Sequence, residues 1–353
     1  MNKRITSLLL LITMIIITQT SCAPAEPEPV SREEFLLDTI CSISIYEMGS
    51  AGNSDVDADA DAKESAEAAI DEAFALCRHL DDTLSRTKKD SFVGRINAAK
   101  GEWTEVSPET VELIQKGIEY SKLSDGAFDI TVGGITELWD FHAAEGEAKL
   151  PNEKKLAEAV KHVGYANIEI EGNKVRLKDP ETKIDLGGIA KGFIGDKMSE
   201  LLKERGVTSG IINLGGNVIC IGSKPDGENF NIGVEVPYSD RTEIAGKMGV
   251  KDKTLVTSGV YERKIEVDGK VYHHILDTKT GYPVDTDVNG VTLTAETGKS
   301  ADIDALSTIC LIKGSEEGTA LIENMDGIEA VFILKDGSVK TTEGAAFEKD
   351  QSE

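Results

Sequence analysis

The sequence predicts an α+β fold, and three observations carry that expectation. Short β-branched segments with period-two alternation run along the whole chain, amphipathic helical stretches separate only some of them, and strands and helices do not alternate strictly enough for a doubly wound parallel sheet. In chain order, Phe35 to Tyr46 alternates isoleucine with small polar residues (Ile40, Ser42, Ile43, Ser44, Ile45) and reads as a strand. Lys63 to Leu84 places Ala66, Ala69, Ile70, Ala73, Phe74, Cys77 and Leu80 at spacings of three and four, one face of a helix. Ser107-Pro108 is a cap followed by proline at the first helical position, and the helix it opens runs to Leu123 before Asp125-Gly126. A third helix covers Asn152 to His162, and short strands follow at Ile168 to Ile170 and Lys174 to Leu177. From Lys183 the pattern is strand, glycine turn and a helix to Arg205. Ile211 to Gly222, Asn231 to Val236, Thr254 to Val267, Val271 to Leu276 and Val291 to Thr294 read as strands. Ser300 to Ile312 reads as a helix and Val331 to Leu334 as a last strand. No internal repeat is visible.

The 353 residues suffice for one large or two ordinary domains, and 40% apolar content supplies a core. Against 38 Lys and Arg stand 63 Asp and Glu, a formal charge of −25 that excludes nucleic acid as a partner by repulsion. The same field means that an anionic small ligand needs local cations, backbone amides or a metal.

Residues 1–22 have the layout of an export leader: Lys3 and Arg4, an apolar run from Leu8 to Ile17, then Thr18 to Ser21 before a cysteine. A cysteine at that point makes Cys22 the candidate lipidated residue of a lipoprotein signal peptide, with Gln19 departing from the apolar residue usual near it; a plain signal peptide or an uncleaved anchor is the alternative. Residues 23–34, with prolines among Ala and Glu, read as a spacer, 35–345 as the folded domain and 346–353 as a tail. That layout places the protein outside the cytoplasmic membrane, held there by a lipid anchor. Cys41, Cys77, Cys220 and Cys310 are too few and scattered for a disulfide framework and read as core thiols, with one bridge possible. Within 49–62, Asp55, Asp57, Asp59 and Asp61 alternate with other residues. Ala60 or Ala62 stands where a calcium loop needs glycine, and Ala66 or Ala68 where it needs a bidentate glutamate, so the segment reads as a solvated acidic loop.

Four constellations carry chemistry. Asp185 to Gly192 (Asp185-Leu186-Gly187-Gly188-Ile189-Ala190-Lys191-Gly192) sets two glycines before a helix start, where free N–H groups and Lys191 suit an anion; tight helix packing is the plainer reading. It has neither Walker A nor dinucleotide-fold spacing. Asp304 and Thr308 lie four apart, so a helix presents both to one hard cation, although an acid near a helix start is ordinary electrostatics. His273 and His274 are adjacent, and in a strand one is structural while the other faces a site; no His or Cys pair supports zinc. Ser124 to Thr131 sets Phe128 beside Asp129 after a helix stop, which suits a ring-shaped ligand or a core turn. Asn213-Leu214-Gly215-Gly216-Asn217 is a further glycine turn of the same double meaning.

Taken in order, Phe128-Asp129-Ile130-Thr131, Asp185 to Gly192, Asn213 to Asn217, Thr257-Ser258-Gly259 with Tyr261-Glu262-Arg263, His273 to Asp277 with Thr280-Gly281, and Asp304 to Thr308 resemble the ApbE family. These are FAD-dependent protein FMN transferases, commonly exported lipoproteins, and the resemblance spans roughly Phe35 to Val331. It implies mixed, largely antiparallel sheets flanked by helices. It implies Mg²⁺ on Asp304, Thr308 and the Gly188 carbonyl, and FAD as substrate contacting Thr39, Ala127, Phe128, Asp129, Asp185, Lys191, Ser258 and Ile275. His274 is then the candidate base, with Asp185 or Asp277 as alternatives, and the partner is an exported acceptor protein carrying a target threonine. Leu37-Asp38-Thr39 replaces the family's Met-Gly-Thr, Leu84-Ser85-Arg86-Thr87 lacks an aromatic residue often found there, and Thr278 stands where proline is usual. The implied reaction moves FMN from FAD to the threonine hydroxyl as a phosphoester and releases AMP. An FAD pyrophosphatase or a non-catalytic flavin-binding lipoprotein would be built from the same residues.

Overall fold

A hydrogen-bonded hairpin opens the chain where the alternation of isoleucines predicted a single strand. The computed structural model describes residues 28–49, 58–141, 143, 146–239 and 243–350, so the leader, Cys22 and most of the acidic segment lie outside the described residues. Strand β1 (Val30–Leu36) begins within the segment expected as spacer and pairs with β2 (Thr39–Met48). Leu37 and Asp38 between them both take positive φ (55° and 58°), the two-residue turn whose twist suits a tight hairpin. Helix α1 (Ala58–Leu84) starts inside the expected loop and buries Ala66, Ala69, Ile70, Ala73, Phe74, Cys77 and Leu80.

The middle of the chain holds α2 (Phe92–Ala98), β3 (Thr104–Glu105), α3 (Pro108–Leu123), α4 (Gly133–Thr136), α5 (Glu153–Val160), β4 (Ile168–Glu171) and β5 (Lys174–Leu177). Ser107 Oγ accepts from Thr110 N at 3.2 Å and Asn152 Oδ1 accepts from Lys154 and Lys155 N at 3.1 Å, the caps that start α3 and α5. Helix α6 (Ala190–Glu204) follows, then β6 (Val207–Leu214), β7 (Asn217–Ile221), β8 (Phe230–Glu235), β9 (Ile244–Val250), β10 (Lys253–Gly259), β11 (Lys264–Val267) and β12 (Lys270–His273). The chain ends with β13 (Val288–Glu296), α7 (Ser300–Glu323), β14 (Glu329–Leu334), β15 (Val339–Thr341) and β16 (Phe347–Lys349).

The main sheet has eight strands in the order β1-β2-β6-β7-β10-β13-β14-β15, and every neighbouring pair is antiparallel. Helices α1, α6 and α7 cover one face, with Phe74, Phe193, Ile212, Leu293 and Ile309 in their shared core. Part of the other face is covered by the β16-β9-β8 sheet through Phe230, Val234 and Met248. This is the α+β architecture with antiparallel sheets flanked by helices that the sequence predicts. Cys41, Cys77, Cys220 and Cys310 are all buried free thiols.

Three differences in detail have physical causes. Ile184 to Leu186 forms no strand of a sheet: on one side Ile184 N donates to Asn97 Oδ1 at 2.7 Å and Asn97 Nδ2 donates to Ile184 O at 2.8 Å, and on the other Asp185 N donates to Ile130 O at 2.7 Å beside an isolated parallel bridge of Val132 with Lys183. The strand expected over Ile211 to Gly222 is the hairpin β6–β7, reversed at Gly215 and Gly216, both at positive φ. Helix α7 runs past Ile312, kinked at Gly314 (φ 80°), because Asp287 restarts it by accepting from Ser315 N at 2.9 Å. No helix among the described residues is long and apolar enough to cross a membrane.

Candidate active site

Helices α6 and α7 cross at Gly192, where a Cβ would stand 2.3 Å from the Ser300 carbonyl oxygen. Only glycine allows that approach, and it puts Lys191 in the first turn of α6 beside Asp304 in α7. Gly192 N donates to Asp304 Oδ2 at 2.8 Å. Ala190 N donates to Leu186 O at 2.9 Å, so two amides expected to be free for an anion are taken within the fold. The helix start therefore offers an anion chiefly the Lys191 ammonium, whose Nζ lies 3.4 Å from Gly215 O. Asp304 is buried; desolvation pushes its carboxyl up, while Lys191 and the Gly192 amide pull it back.

These groups open on a cavity of about 330 Å³. Ala127, Phe128, Asp129, Asp185, Gly188, Lys191, Ser258, His274, Ile275, Asp304 and Thr308 all line it. Asp304 and Thr308 share the face of α7 that their spacing predicts, and a Cβ on Gly188 would stand 3.7 Å from Thr308 Oγ1 and 3.0 Å from Phe128. Glycine at 188 thus keeps Phe128 and Thr308 close to the loop backbone. Ser258 Oγ is hydrogen-bonded to Ser307 Oγ at 2.8 Å.

The two histidines divide as expected. His273 Nε2 meets the Val284 carbonyl at 3.2 Å, a structural contact. His274 lines the cavity with Nδ1 at 3.1 Å from the Arg263 carbonyl; a carbonyl only accepts, so Nδ1 carries the proton and Nε2 holds a lone pair. Desolvation pushes the His274 imidazole down to about 4, with the cations Arg263 and Lys191 adding to the effect, so the neutral form dominates across the physiological range.

Thr39 and Asp277 lie off the cavity wall, and Asp129 lines it with its carboxylate already engaged. Thr39 does not line the cavity; its side chain packs on Gly215, where a Cβ would stand 2.2 Å from Thr39 Oγ1. Asp129 lines the cavity, but its carboxylate accepts from Thr131 N (2.8 Å), Thr131 Oγ1 (2.6 Å) and Tyr165 N (2.9 Å), so it braces the loop that presents Phe128. Asp277 accepts from Lys279 N (2.9 Å) and Thr280 Oγ1 (3.0 Å) in a turn, and does not line the cavity as its neighbours Leu276 and Thr278 do.

In the sequence, Arg86 and Arg263 have places in the motifs but no role, and Trp139 and Phe141 are not singled out. Arg86 Nε lies 2.9 Å from Asp185 Oδ2, which adds a cation to the wall where the resemblance leads one to expect an aromatic residue. Arg263 pairs at 3.6 Å with Asp38 on the turn of the β1–β2 hairpin, and both line the cavity. Trp139 and Phe141 stack at 5.5 Å with 8° between their planes, and Phe141 meets the His274 ring edge-on at 6.5 Å. Trp139 is one of two tryptophans in the chain, the one signal that would have drawn attention to it.

The cleft thus has aromatic walls and three cations set among six acids, Asp38, Asp81, Asp129, Asp185, Glu262 and Asp304, with Arg86 and Arg263 paired to Asp185 and Asp38. The chain belongs to the ApbE family, whose family model matches residues 37–332. It is 31% identical over 330 residues to the FAD:protein FMN transferase of Treponema pallidum, covering 89% of this chain and 87% of that protein. It is 33% identical over 286 residues to one from Klebsiella pneumoniae, covering 77% and 84%. Among solved structures, the ApbE protein of Thermotoga maritima superposes with a TM-score of 0.78 at 31% identity, over 90% of this chain and 97% of that one. The flavin transferase ApbE of Vibrio cholerae gives 0.74 at 28% identity, over 89% and 96%.

Proposed function

We propose that the chain transfers the FMN moiety of FAD to a threonine hydroxyl of an exported acceptor protein. The observation that carries this reading is the meeting, in one cleft, of the His274 lone pair, the Asp304–Thr308 pair and the cations Lys191, Arg86 and Arg263. In the step, the threonine oxygen bonds to the FMN-side phosphorus, the phosphoanhydride P–O bond breaks, AMP leaves, and the threonine proton passes to His274 Nε2. Lys191 and Arg86 stabilise charge on the phosphates, while Phe128 and the Trp139–Phe141 stack provide surface for the rings. Because six acids line the cleft beside these three cations, the cations alone do not offset the acidic field, and a bound divalent cation would supply the rest.

No group of three or more His, Cys, Asp or Glu suited to a metal occurs among the described residues. The Asp304 carboxylate, the Thr308 hydroxyl and the Gly188 carbonyl are nevertheless a hard-oxygen set, and the buried, unpartnered amide of Asn217 beside Asp304 marks polar capacity left to be filled. The set fits Mg²⁺, which when bound would neutralise pyrophosphate charge and activate AMP as leaving group. The leader and Cys22 support an anchored location outside the cytoplasmic membrane.

The test is incubation with FAD, Mg²⁺ and a threonine-bearing acceptor, followed by mass spectrometry for an FMN phosphoester, with Asp304→Ala as control. Binding of FAD without adduct would reject transfer. A cleft that admits a protein hydroxyl also admits water, so pyrophosphatase activity is the second reading; FMN and AMP formed without acceptor would support it. FAD recovered intact in the presence of Mg²⁺ would reduce the protein to a flavin binder.

A further inference from the structure

Asn217 is the first residue of β7, directly after the Gly215-Gly216 reversal, and is fully buried. Neither its amide nitrogen nor its amide oxygen makes a hydrogen bond of good geometry, although the amide is close enough to Asp304 to draw that carboxyl's pKa down. A buried amide left unpaired is costly, whereas an apolar side chain of similar shape would be tolerated, so the amide needs a reason. Its direction supplies one. Side chains two apart on a strand share a face, and Ile219 on the same face reaches α6, where a Cβ on Gly195 would stand 2.7 Å from Ile219 Cδ1. Asn217 therefore points into the α6–α7 layer, and its amide lies beside the Asp304 carboxylate. Asp304 Oδ2 is held by Gly192 N, and Lys191 reaches back to Gly215 O, two residues before Asn217. The glycine reversal thus brings an unpartnered amide and a cation to the rear of the one buried carboxylate in the proposed cation set.

We propose that Asn217 is a positioning residue, whose amide N–H groups grip the rear of the Asp304 carboxylate and fix its free lone pairs toward the cleft for a divalent cation. The Asn217 carbonyl oxygen then accepts from water that enters with the cation. The proposal rests on the reading of Asp304 and Thr308 as cation ligands. It adds a residue that belongs to neither the ligand set nor the cavity wall. Partners of this kind typically change metal affinity by about 10- to 100-fold.

The experiment measures Mn²⁺ binding to the whole chain by electron paramagnetic resonance and thermal melting, without FAD, for the parent protein, Asn217→Leu, Asn217→Ala and Asp304→Ala. Asn217→Leu removes a buried unpaired amide at similar volume, so the expected result is an unchanged or raised Tm with Mn²⁺ binding at least about tenfold weaker. Asn217→Ala, read the same way, decides the matter if the leucine variant does not fold. Retention of parent-like Mn²⁺ binding by the folded variants would overturn the proposal. So would Mn²⁺ binding to the parent that Asp304→Ala leaves intact, or no Mn²⁺ binding at all. A parent that binds Mn²⁺ through Asp304 and Asn217 yet gives no flavinylated threonine would leave this inference standing and reject transfer instead.

Discussion

At the scale of single residues, the cleft turns on which charges are paired. Arg86 and Asp185 hold each other at its wall. Arg86→Ala should weaken FAD binding by leaving Asp185 as an uncompensated anion, and adding Asp185→Asn should recover part of the loss. Strictly additive losses in a double-mutant cycle, read by flavin fluorescence titration, would show that the pair is not coupled in this way. His274 makes a second prediction. Its imidazole is pushed down to about 4 from the usual 6.5, so it accepts a proton at all pH values above about 4 and is charged only below. The acid limb of the FMN-transfer profile should therefore lie near pH 4, and His274→Ala should lower turnover by about 10²- to 10⁴-fold while sparing FAD binding. A limb near 6.5 that persists in the variant would assign the titration to another group. The sequence made His274, Asp304, Lys191 and Thr308 legible because their type and order carry the chemistry. Arg86 and Phe141 were not legible, since a surface-like arginine and a lone phenylalanine acquire meaning only when folding brings them to one wall. Asp129 lines the cavity with its carboxylate held by Thr131 and Tyr165, and Thr39 packs on Gly215 off the wall; folding engages both side chains in ways that the motif does not reveal.

At the scale of elements, helix starts were read well where the cap is local and poorly where it comes from elsewhere. Ser107 and Asn152 cap their own helices, as the sequence suggests. Lys299 gives α7 no side-chain cap; Asp196 of α6 does so instead, accepting from Ser300 N at 2.9 Å and Ala301 N at 3.0 Å. No reading of α7 alone could find that partner. Asp196→Ala should cost about 1 kcal/mol of stability, as lost caps do, measurable by urea unfolding. Burial pushes the Asp196 carboxyl up to about 6, above its ordinary 3.8, so the folded chain holds this proton more tightly than the unfolded chain. Its contribution to stability is present below about 3.8 and declines as pH rises through about 6. Asp196→Asn should flatten that part of the stability profile; an unchanged slope between those pH values would place its origin elsewhere. The same non-local logic explains Ile184 to Leu186, a strand in the sequence pattern yet held by the side chain of Asn97 and by the backbone of Ile130 rather than within a sheet.

At the scale of the whole molecule, a formal charge of −25 surrounds a cleft whose three cations stand among six acids. Long-range repulsion slows the approach of an anionic flavin nucleotide, while the short-range cations hold it once it arrives. FAD association should therefore speed up as salt rises from about 0.01 to 0.15 M, because screening removes the distant repulsion first. Stopped-flow rates that fall over that range would mean that the cleft's own field dominates. The antiparallel α+β class was readable from the scatter of strands among helices. The order of strands was not, because alternation records which face a strand buries and says nothing of its neighbours. That order has a consequence in time. In the sheet, Cys41 of β2 stands opposite Leu214 of β6, so the first strands to be synthesised must wait for a partner from far along the chain. Until β6 emerges, the β1–β2 hairpin has α1 to pack on but no third strand, and a two-stranded sheet is marginal in water. The lip of the cleft is therefore the first part of the site to be made and among the last to be fixed, so an incomplete chain is unable to capture FAD until the strands and helices from β6 onward have joined it.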